Sequence, residues 1–287
     1  LPRPLNRTAL RVGMMHYHLK TGGVVSVMRD LARALASYGR YDSLEIDIFA
    51  AVDSHDEAEE LFKFPSHRDK AGKIVHIPGL AYHDAPYPGK ESFTTAARTL
   101  ASQILESIHL EKNDARFPYI LHAHNISLGK NPLATLAFWT IADIARQENL
   151  PLWLINQVHD FAENNRPDRM EAFYTCTGTY DEAFARHLMY RDAANVLYLT
   201  INRVDIETLR MLGIHPGRIF LLPDPIDIEK LTQKALWEEE EWKREGLPSG
   251  DYKEAFAHAL QDVASSTSQI FDPSLPAIAA SSVAFSA

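Results

Sequence analysis

The chain has 287 residues, of which 46% are hydrophobic and 23% charged, a composition typical of globular proteins with a sizeable buried core. Its net charge of -9 argues against nucleic acid as a partner, because nucleic acids favour clustered lysine and arginine. The single cysteine, Cys176, excludes an intramolecular disulfide and a cysteine-based zinc site, and it favours a reducing, cytoplasmic setting.

The first unit of the chain, 10–35, reads as an apolar strand, a turn at Gly22 and Gly23, and a helix with apolar residues at helical spacing. A Gly-Gly turn lets the backbone approach a ligand closely, and the helix N-terminus behind it favours negative charge. Taken alone, such a pair is more often a tight connection without a ligand. The rest of the chain therefore decides how this turn is interpreted.

Strand and helix patterns then alternate as far as residue 222. Apolar runs of strand length stand at 44–51, 73–77, 119–123, 152–158, 195–201 and 218–222. Helical patterns stand at 53–62, 93–110, 132–146 and 204–212. The alternation predicts an α/β fold, a Rossmann-like parallel sheet of about six or seven strands with helices on both faces.

The chain changes character near its C-terminal end. We expect a folded domain over 9–227, an acidic helical segment over 228–264, and an irregular or disordered tail over 265–287. The N-terminus lacks the apolar stretch of a secretion signal, and no segment is long and apolar enough to predict a membrane-spanning helix.

Ligands of parallel sheets bind beyond the carboxyl ends of the strands, so the polar residues that follow each strand are the candidate site residues. The candidates are His16, the Gly22-Gly23 turn, His124 with Asn125, His159 with Asp160, and Asn202. A histidine such as His159 can donate a hydrogen bond to a substrate hydroxyl or act in acid–base chemistry. Equally, His159 and Asp160 can form a capping pair in a polar turn.

Two His-x-His pairs, His16 with His18 and His122 with His124, suggest a metal site as an alternative. Residues two apart on a strand share a face, so each pair could coordinate one metal ion, as in barrel-type metal-dependent hydrolases. Apart from Asp160, no further ligand stands at a clear strand end. We therefore predict no bound metal and keep the hydrolase as an alternative.

The opening VGMMHYHLKTGGVVSVMRDLARAL resembles the first strand, glycine loop and helix of retaining GT-B glycosyltransferases of the family 4 type, which use nucleotide-sugar donors. The resemblance continues in order through ILHAHN, WLINQVHDF and LYLTINRVDIETLRMLGIHPGRIFLLPDPID. It covers roughly 9–227, the N-terminal half of a GT-B fold. It implies hexosyl transfer from a nucleotide sugar to a sugar or small-molecule acceptor, with no bound metal or other cofactor.

The resemblance also implies roles for individual residues. His159 matches the family histidine that contacts the transferred sugar near the reacting centre. Gly22 and Gly23 would line the cleft near the donor phosphates or the acceptor. The remaining residues, which would line the acceptor side, are His124, Asn125, Asp160 and Asn202.

Two departures from the family stand at the C-terminal end. Asp224-Pro225-Ile226-Asp227 replaces the usual Asn-Gly-Val-Asp, and nothing after Asp227 resembles the donor-binding domain with its basic residues. We therefore expect an acceptor-side domain that is inactive alone, either because the chain is truncated or because a separate chain supplies the second domain. A catalytically silent sugar- or partner-binding module is the alternative from another class.

Overall fold

A computed structural model describes residues 9–38, 41, 43–52, 62, 70–71, 73–83, 85–108, 110, 118–162 and 167–224. The helix predicted over 53–62, apart from Phe62, lies outside the described residues. The segments 228–264 and 265–287 also lie outside them, so these features and the domain limits stay predictions.

Strands and helices alternate in chain order, which confirms the predicted α/β fold. The strands are β1 (Ala9–His18), β2 (Ser43–Ala51), β3 (Lys70–Ala71), β4 (Ile74–His76), β5 (Tyr119–His124), β6 (Leu152–Val158), β7 (Val196–Thr200) and β8 (Ile219–Leu221). The helices are α1 (Gly23–Tyr38), α2 (Lys90–Ile108), α3 (Pro132–Gln147), α4 (Pro167–Thr177), α5 (Glu182–Met189) and α6 (Arg203–Met211). No helix among the described residues is both long and apolar enough to cross a membrane.

The strands form one parallel sheet in the order β3-β2-β1-β5-β6-β7-β8, with β4 also paired to β2. The short strand β3 was not predicted from the sequence. The strands that follow β1 in the chain, β2 and β3, are added on one side of it, whereas β5 to β8 are added on its other side. The strand order therefore reverses between β1 and β5. In open α/β sheets this switch point opens a crevice beyond the carboxyl ends of the strands.

Both faces of the sheet are covered, because alternate residues of its central strands point to opposite sides. Val12 and Met14 of β1 belong to one apolar cluster with Met28 of α1. Met15 and Tyr17, one residue out of phase, belong to the other cluster, which includes residues of α2 and α3. The predicted helices on both faces are therefore confirmed.

Gly13 lies in the middle of β1, where there is no room for a side chain. A Cβ atom there would come within 2.6 Å of both Phe49 Cε2 and Tyr119 Oη, which belong to the two neighbouring strands. Tyr119 donates a hydrogen bond of 2.8 Å to Asp47 of β2 across this gap. The glycine thus allows side chains of β2 and β5 to meet over β1.

Candidate functional site

Histidines from β1, β5 and the end of β6 meet at the carboxyl edge of the sheet. His16 Nδ1 donates to the carbonyl oxygen of His124 over 2.9 Å. His124 Nδ1 lies 3.4 Å from His159 Nε2, and the ring centroids of these residues are 5.7 Å apart. The ring of His122 stacks on that of His124 at 4.2 Å. We call these four residues the histidine cluster.

The convergence follows from strand order and from the alternation of side chains. Because β1, β5 and β6 are neighbours, their carboxyl ends meet beside the switch point. His122 and His124 are two residues apart and lie on the same side as Ile120, which packs against the α1 cluster. The sequence prediction that His122 and His124 share a face is confirmed.

Burial keeps the histidine cluster uncharged at neutral pH. Burial lowers the pKa of His16 and of His122 to about 4. The hydrogen bond of each residue raises its pKa but does not outweigh the effect of burial. Burial also lowers the pKa of His124 well below its usual value, with the neighbouring histidines adding to the effect. The cluster therefore offers neutral imidazoles, which suit hydroxyl groups better than anions.

The neutral rings have fixed hydrogen-bonding roles where their partners are carbonyl oxygens. His122 Nε2 donates to Gln157 Oε1 over 2.9 Å, leaving its Nδ1 as an acceptor. Gln157 is the register partner of His124 across β5 and β6. Among the described residues, neither Gln157 Nε2 nor His124 Nε2 has a hydrogen-bond partner. Both atoms are buried, so a polar group reaches them only if neighbouring side chains move.

His159 lies between His124 and a carboxylate near the C-terminal end of the described residues, that of Asp224. Its Nδ1 lies 3.6 Å from Asp224 Oδ1, and its side chain is only 8% exposed. Burial lowers the pKa of His159, while the charges of Asp224 and Asp160 oppose that shift. Burial raises the pKa of Asp224, which His159 opposes. Both ring nitrogens of His159 thus face protein atoms.

Asn125 connects the carboxyl ends of β1, β5 and β6 through hydrogen bonds. It has a left-handed backbone with φ of 59°, which asparagine tolerates better than most residues. Its side-chain oxygen accepts from the backbone N–H groups of His159 and Asp160, at 3.4 and 3.2 Å. Tyr17 donates to its backbone carbonyl at 2.9 Å. Asn125 therefore holds the turn that carries His159 in place.

Asn202 and Asp160 lie further along the same edge. The side-chain oxygen of Asn202 accepts from the backbone N–H of Asp205 over 3.0 Å, which makes Asn202 the N-cap of α6. Asp160 is close enough that its charge adds to the burial that raises the pKa of Asp205. Asn202 therefore has a structural role at the start of α6.

Gly22 lies in the turn between β1 and α1, Gly23 is the first residue of α1, and both are exposed. The backbone of neither residue has a positive φ. A Cβ atom on Gly22 would meet only the Lys20 carbonyl oxygen, at 3.8 Å, and one on Gly23 would meet nothing within 4 Å. The fold itself therefore does not require glycine at these two positions.

The His-x-His pairs use their nitrogens within the protein. His16 Nδ1 and His122 Nε2 are engaged by His124 and Gln157, as described above. Among the described residues, no group of three or more His, Cys, Asp or Glu side chains is arranged to hold a metal ion. Whether the protein binds a metal stays a prediction.

Sequence reasoning missed three residues at this edge: Asp224, Lys130 and Tyr82. Lys130 precedes α3, and its Nζ donates to Tyr82 Oη over 2.8 Å. Neither residue belongs to a motif, and Asp224 was noted only as a departure from a family pattern. Only the fold brings them close to the strand ends.

The chain matches no protein-family model. It is 27% identical over 222 residues to the mannosylglucosyl-3-phosphoglycerate synthase of Petrotoga mobilis, a match that covers 77% of this chain and 38% of that protein. Among solved structures it is similar to Anabaena Alr3699/HepE in complex with UDP, with a TM-score of 0.40, 13% identity, and coverage of 79% and 50% of the two chains. The chain thus spans half or less of the length of these relatives.

Proposed function

We propose that this chain supplies the acceptor-side domain of a retaining GT-B glycosyltransferase, which transfers a hexosyl group from a nucleotide sugar to a sugar or small-molecule acceptor. The sequence similarity to a mannosylglucosyl-3-phosphoglycerate synthase supports glycosyl transfer. The ordered motifs over 9–227 support the finer assignment to family 4 and to the retaining class.

The observation that carries the proposal is the histidine cluster beside the switch point. Parallel α/β sheets bind their ligands there, and this edge contains neutral imidazoles, of which His124 has a buried Nε2 without a hydrogen-bond partner among the described residues. Neutral donors and acceptors suit sugar hydroxyls, since they bind without the cost of burying a charge. In this proposal His124, Asn125, Asp160 and Asn202 form or support the acceptor side.

His159 has the central role in the proposal, which is to contact the transferred sugar. Because its Nε2 faces His124 and its Nδ1 faces Asp224, a hydrogen bond to a sugar requires one partner to give way. Asp224 is the partner better able to move, since its side chain is 38% exposed and His124 is fully buried. Sugar binding and rotation of Asp224 are therefore coupled in this proposal.

The Gly22-Gly23 turn would let the donor phosphates or the acceptor approach the backbone at the start of α1. Open space beside both glycines supports this role, because the fold does not need them. The departing nucleoside diphosphate would be stabilised by fixed charges and dipoles, with no bound metal. Elemental analysis that found about one tightly held metal ion per chain would contradict the metal-free proposal.

Glycosyl transfer requires the donor diphosphate to be held in register with the acceptor, and small misplacements lower the rate by orders of magnitude. In the family that this chain resembles, a second domain supplies this register. We therefore propose pairing with a polypeptide that supplies that domain, and we expect weak acceptor binding but no turnover from the 287-residue chain alone.

The test is to incubate the chain with a panel of nucleotide sugars and acceptors, beside a His159→Ala variant and a longer version that includes a second domain. We expect activity only from the longer version, and its loss in the longer His159→Ala variant. Turnover by the short chain would contradict the need for a second domain. Acceptor binding without turnover in any version would favour the silent binding module.

A further inference from the structure

Lys130 is held rigidly by contacts between two loops. Its backbone carbonyl accepts from the N–H of His83 over 3.1 Å. The next residue, Asn131, donates its side-chain amide to the carbonyl oxygens of Gly79 and Ala81, at 2.9 and 2.6 Å. Three hydrogen bonds of Lys130 and Asn131 thus join the loop after β5 to the segment after β4.

The ammonium group of Lys130 is positioned against an aromatic side chain. Lys130 Nζ lies 2.8 Å from Tyr82 Oη and 4.6 Å from the centroid of the Tyr82 ring. Tyr82 in turn packs edge-on against His18 and Tyr17 at the end of β1, with centroid distances of 4.8 and 5.3 Å. A long, flexible side chain is therefore held beside the carboxyl ends of β1 and β5.

The backbone of a second basic residue, Arg169, lies beside the loop that precedes Lys130. A Cβ atom on Gly129 would be 3.5 Å from the backbone oxygen of Arg169, which places α4 against this loop. The charge of Arg169 also acts on the hydroxyl of Tyr17, where it opposes the burial that raises the pKa of that group. Arg169 pairs with Asp168 at 3.2 Å.

Among the described residues, Lys130 has no carboxylate partner. The chain as a whole is acidic, with a net charge of -9, so a preorganised cation without a carboxylate partner in the described part of the chain is unusual here. A lysine ammonium held in place by packing loses little conformational entropy when it binds an anion. This arrangement suits a phosphate or carboxylate group.

We propose that Lys130, held against Tyr82, binds an anionic group of the acceptor substrate, a phosphate or a carboxylate. The identification of the ligand as an acceptor rests on the proposed function, whereas the anion site itself does not. Lys130 contacts Tyr82, Tyr82 packs against His18, and the ring of His18 lies 5.4 Å from that of His16, a member of the histidine cluster. An acceptor with its anionic end at Lys130 would therefore extend toward the histidine cluster.

The experiment measures equilibrium binding of inorganic phosphate and of 3-phosphoglycerate to the 287-residue chain, without any donor, by NMR titration. Glycerol serves as the uncharged probe. Lys130→Met removes the charge and keeps the length, and Lys130→Arg keeps the charge. The matched control is Lys73→Met, because Lys73 precedes β4 at the opposite end of the sheet and its Nζ donates to Ser107 O.

We expect both anions to bind the wild type and glycerol not to bind. Lys130→Met should weaken anion binding by about tenfold or more, as for the loss of a close charge pair near a protein surface. Lys130→Arg and Lys73→Met should each stay within about threefold of the wild type. Thermal melts of all variants confirm that each is folded.

Absence of anion binding to the wild type, equal binding by Lys130→Met, or equal weakening by Lys73→Met would each overturn the proposal. Because no glycosyl transfer is measured, this result is independent of the activity test. Anion binding at Lys130 with no transfer in any version would leave the site standing and remove its identification as an acceptor subsite.

Discussion

Lowering the pH from 7 to 5 should destabilise this protein through two buried histidines. His16 and His122 have pKa values of about 4 in the folded chain, below the usual value of 6.5, and both are almost completely buried. Below pH 6.5 both histidines become protonated in the unfolded chain but stay neutral in the folded chain. The free energy of unfolding therefore decreases as the pH falls toward 4. At pH 5 each histidine should cost about 2 kcal/mol, and the two together about 4 kcal/mol.

That loss is large beside the total stability of an ordinary domain, which is about 5 to 15 kcal/mol. A double variant, His16→Asn with His122→Gln, isolates it. Asparagine can replace the Nδ1 donor of His16, and glutamine can replace the Nε2 donor of His122, but neither titrates. The other groups with shifted pKa values, His124 and the carboxyl groups with raised pKa values, are present in both proteins, so the difference between them reports His16 and His122.

The assay is urea unfolding at pH 7 and at pH 5, followed by circular dichroism. We expect the wild type to lose about 4 kcal/mol more than the double variant between these pH values. His187→Asn is the control, because His187 is exposed on α5 and should leave the wild-type loss unchanged. An equal loss in the wild type and the double variant would show that the burial of these histidines does not control acid stability.

Three further predictions concern single residues. Gly13→Ala should cost about 1 to 3 kcal/mol in thermal melts, since its Cβ would overlap Tyr119, whereas Gly23→Ala should be neutral or stabilise by up to about 1 kcal/mol. A Gly13→Ala variant as stable as the wild type would contradict the packing argument. Asp224→Asn should lower the pKa of His159 further, because it removes a charge 3.6 Å from Nδ1. An unchanged His159 titration by NMR would mean that the carboxylate does not face the ring in solution. If the glycine turn binds a ligand, Gly23→Ala should weaken binding of nucleotide sugar or acceptor in the longer version without lowering its thermal stability.

The strands of this fold were predictable from the sequence because they are buried on both sides. The apolar run 152–158 is β6 with the predicted bounds, and Pro132 begins α3 as predicted. The short strand β3 was missed, since two residues carry no periodic signal. The reversal of strand order between β1 and β5 depends on tertiary packing, so no local sequence pattern predicts it.

The candidate site was predictable only where strand geometry alone decides it. The shared face of His122 and His124 follows from the two-residue period of a strand. The return of Asp224 to His159 and the placement of Lys130 over Tyr82 depend on loops whose paths the sequence does not reveal. Asn125 also shows this limit, because an asparagine after a strand can face a ligand or, as here, fasten the backbone of a neighbouring turn.

The central position of β1 has a consequence for biosynthesis. One side of β1 pairs with β2, which follows closely, but the other side pairs with β5, and His16 meets the carbonyl of His124 across 108 positions of sequence. A ribosome must therefore release more than a hundred further residues before the open edge of β1 can be covered. Until then the nascent chain exposes an apolar strand edge, the kind of surface that recruits chaperones or aggregates. Shortened products that end before Tyr119 should accordingly be insoluble, whatever the stability of the finished fold.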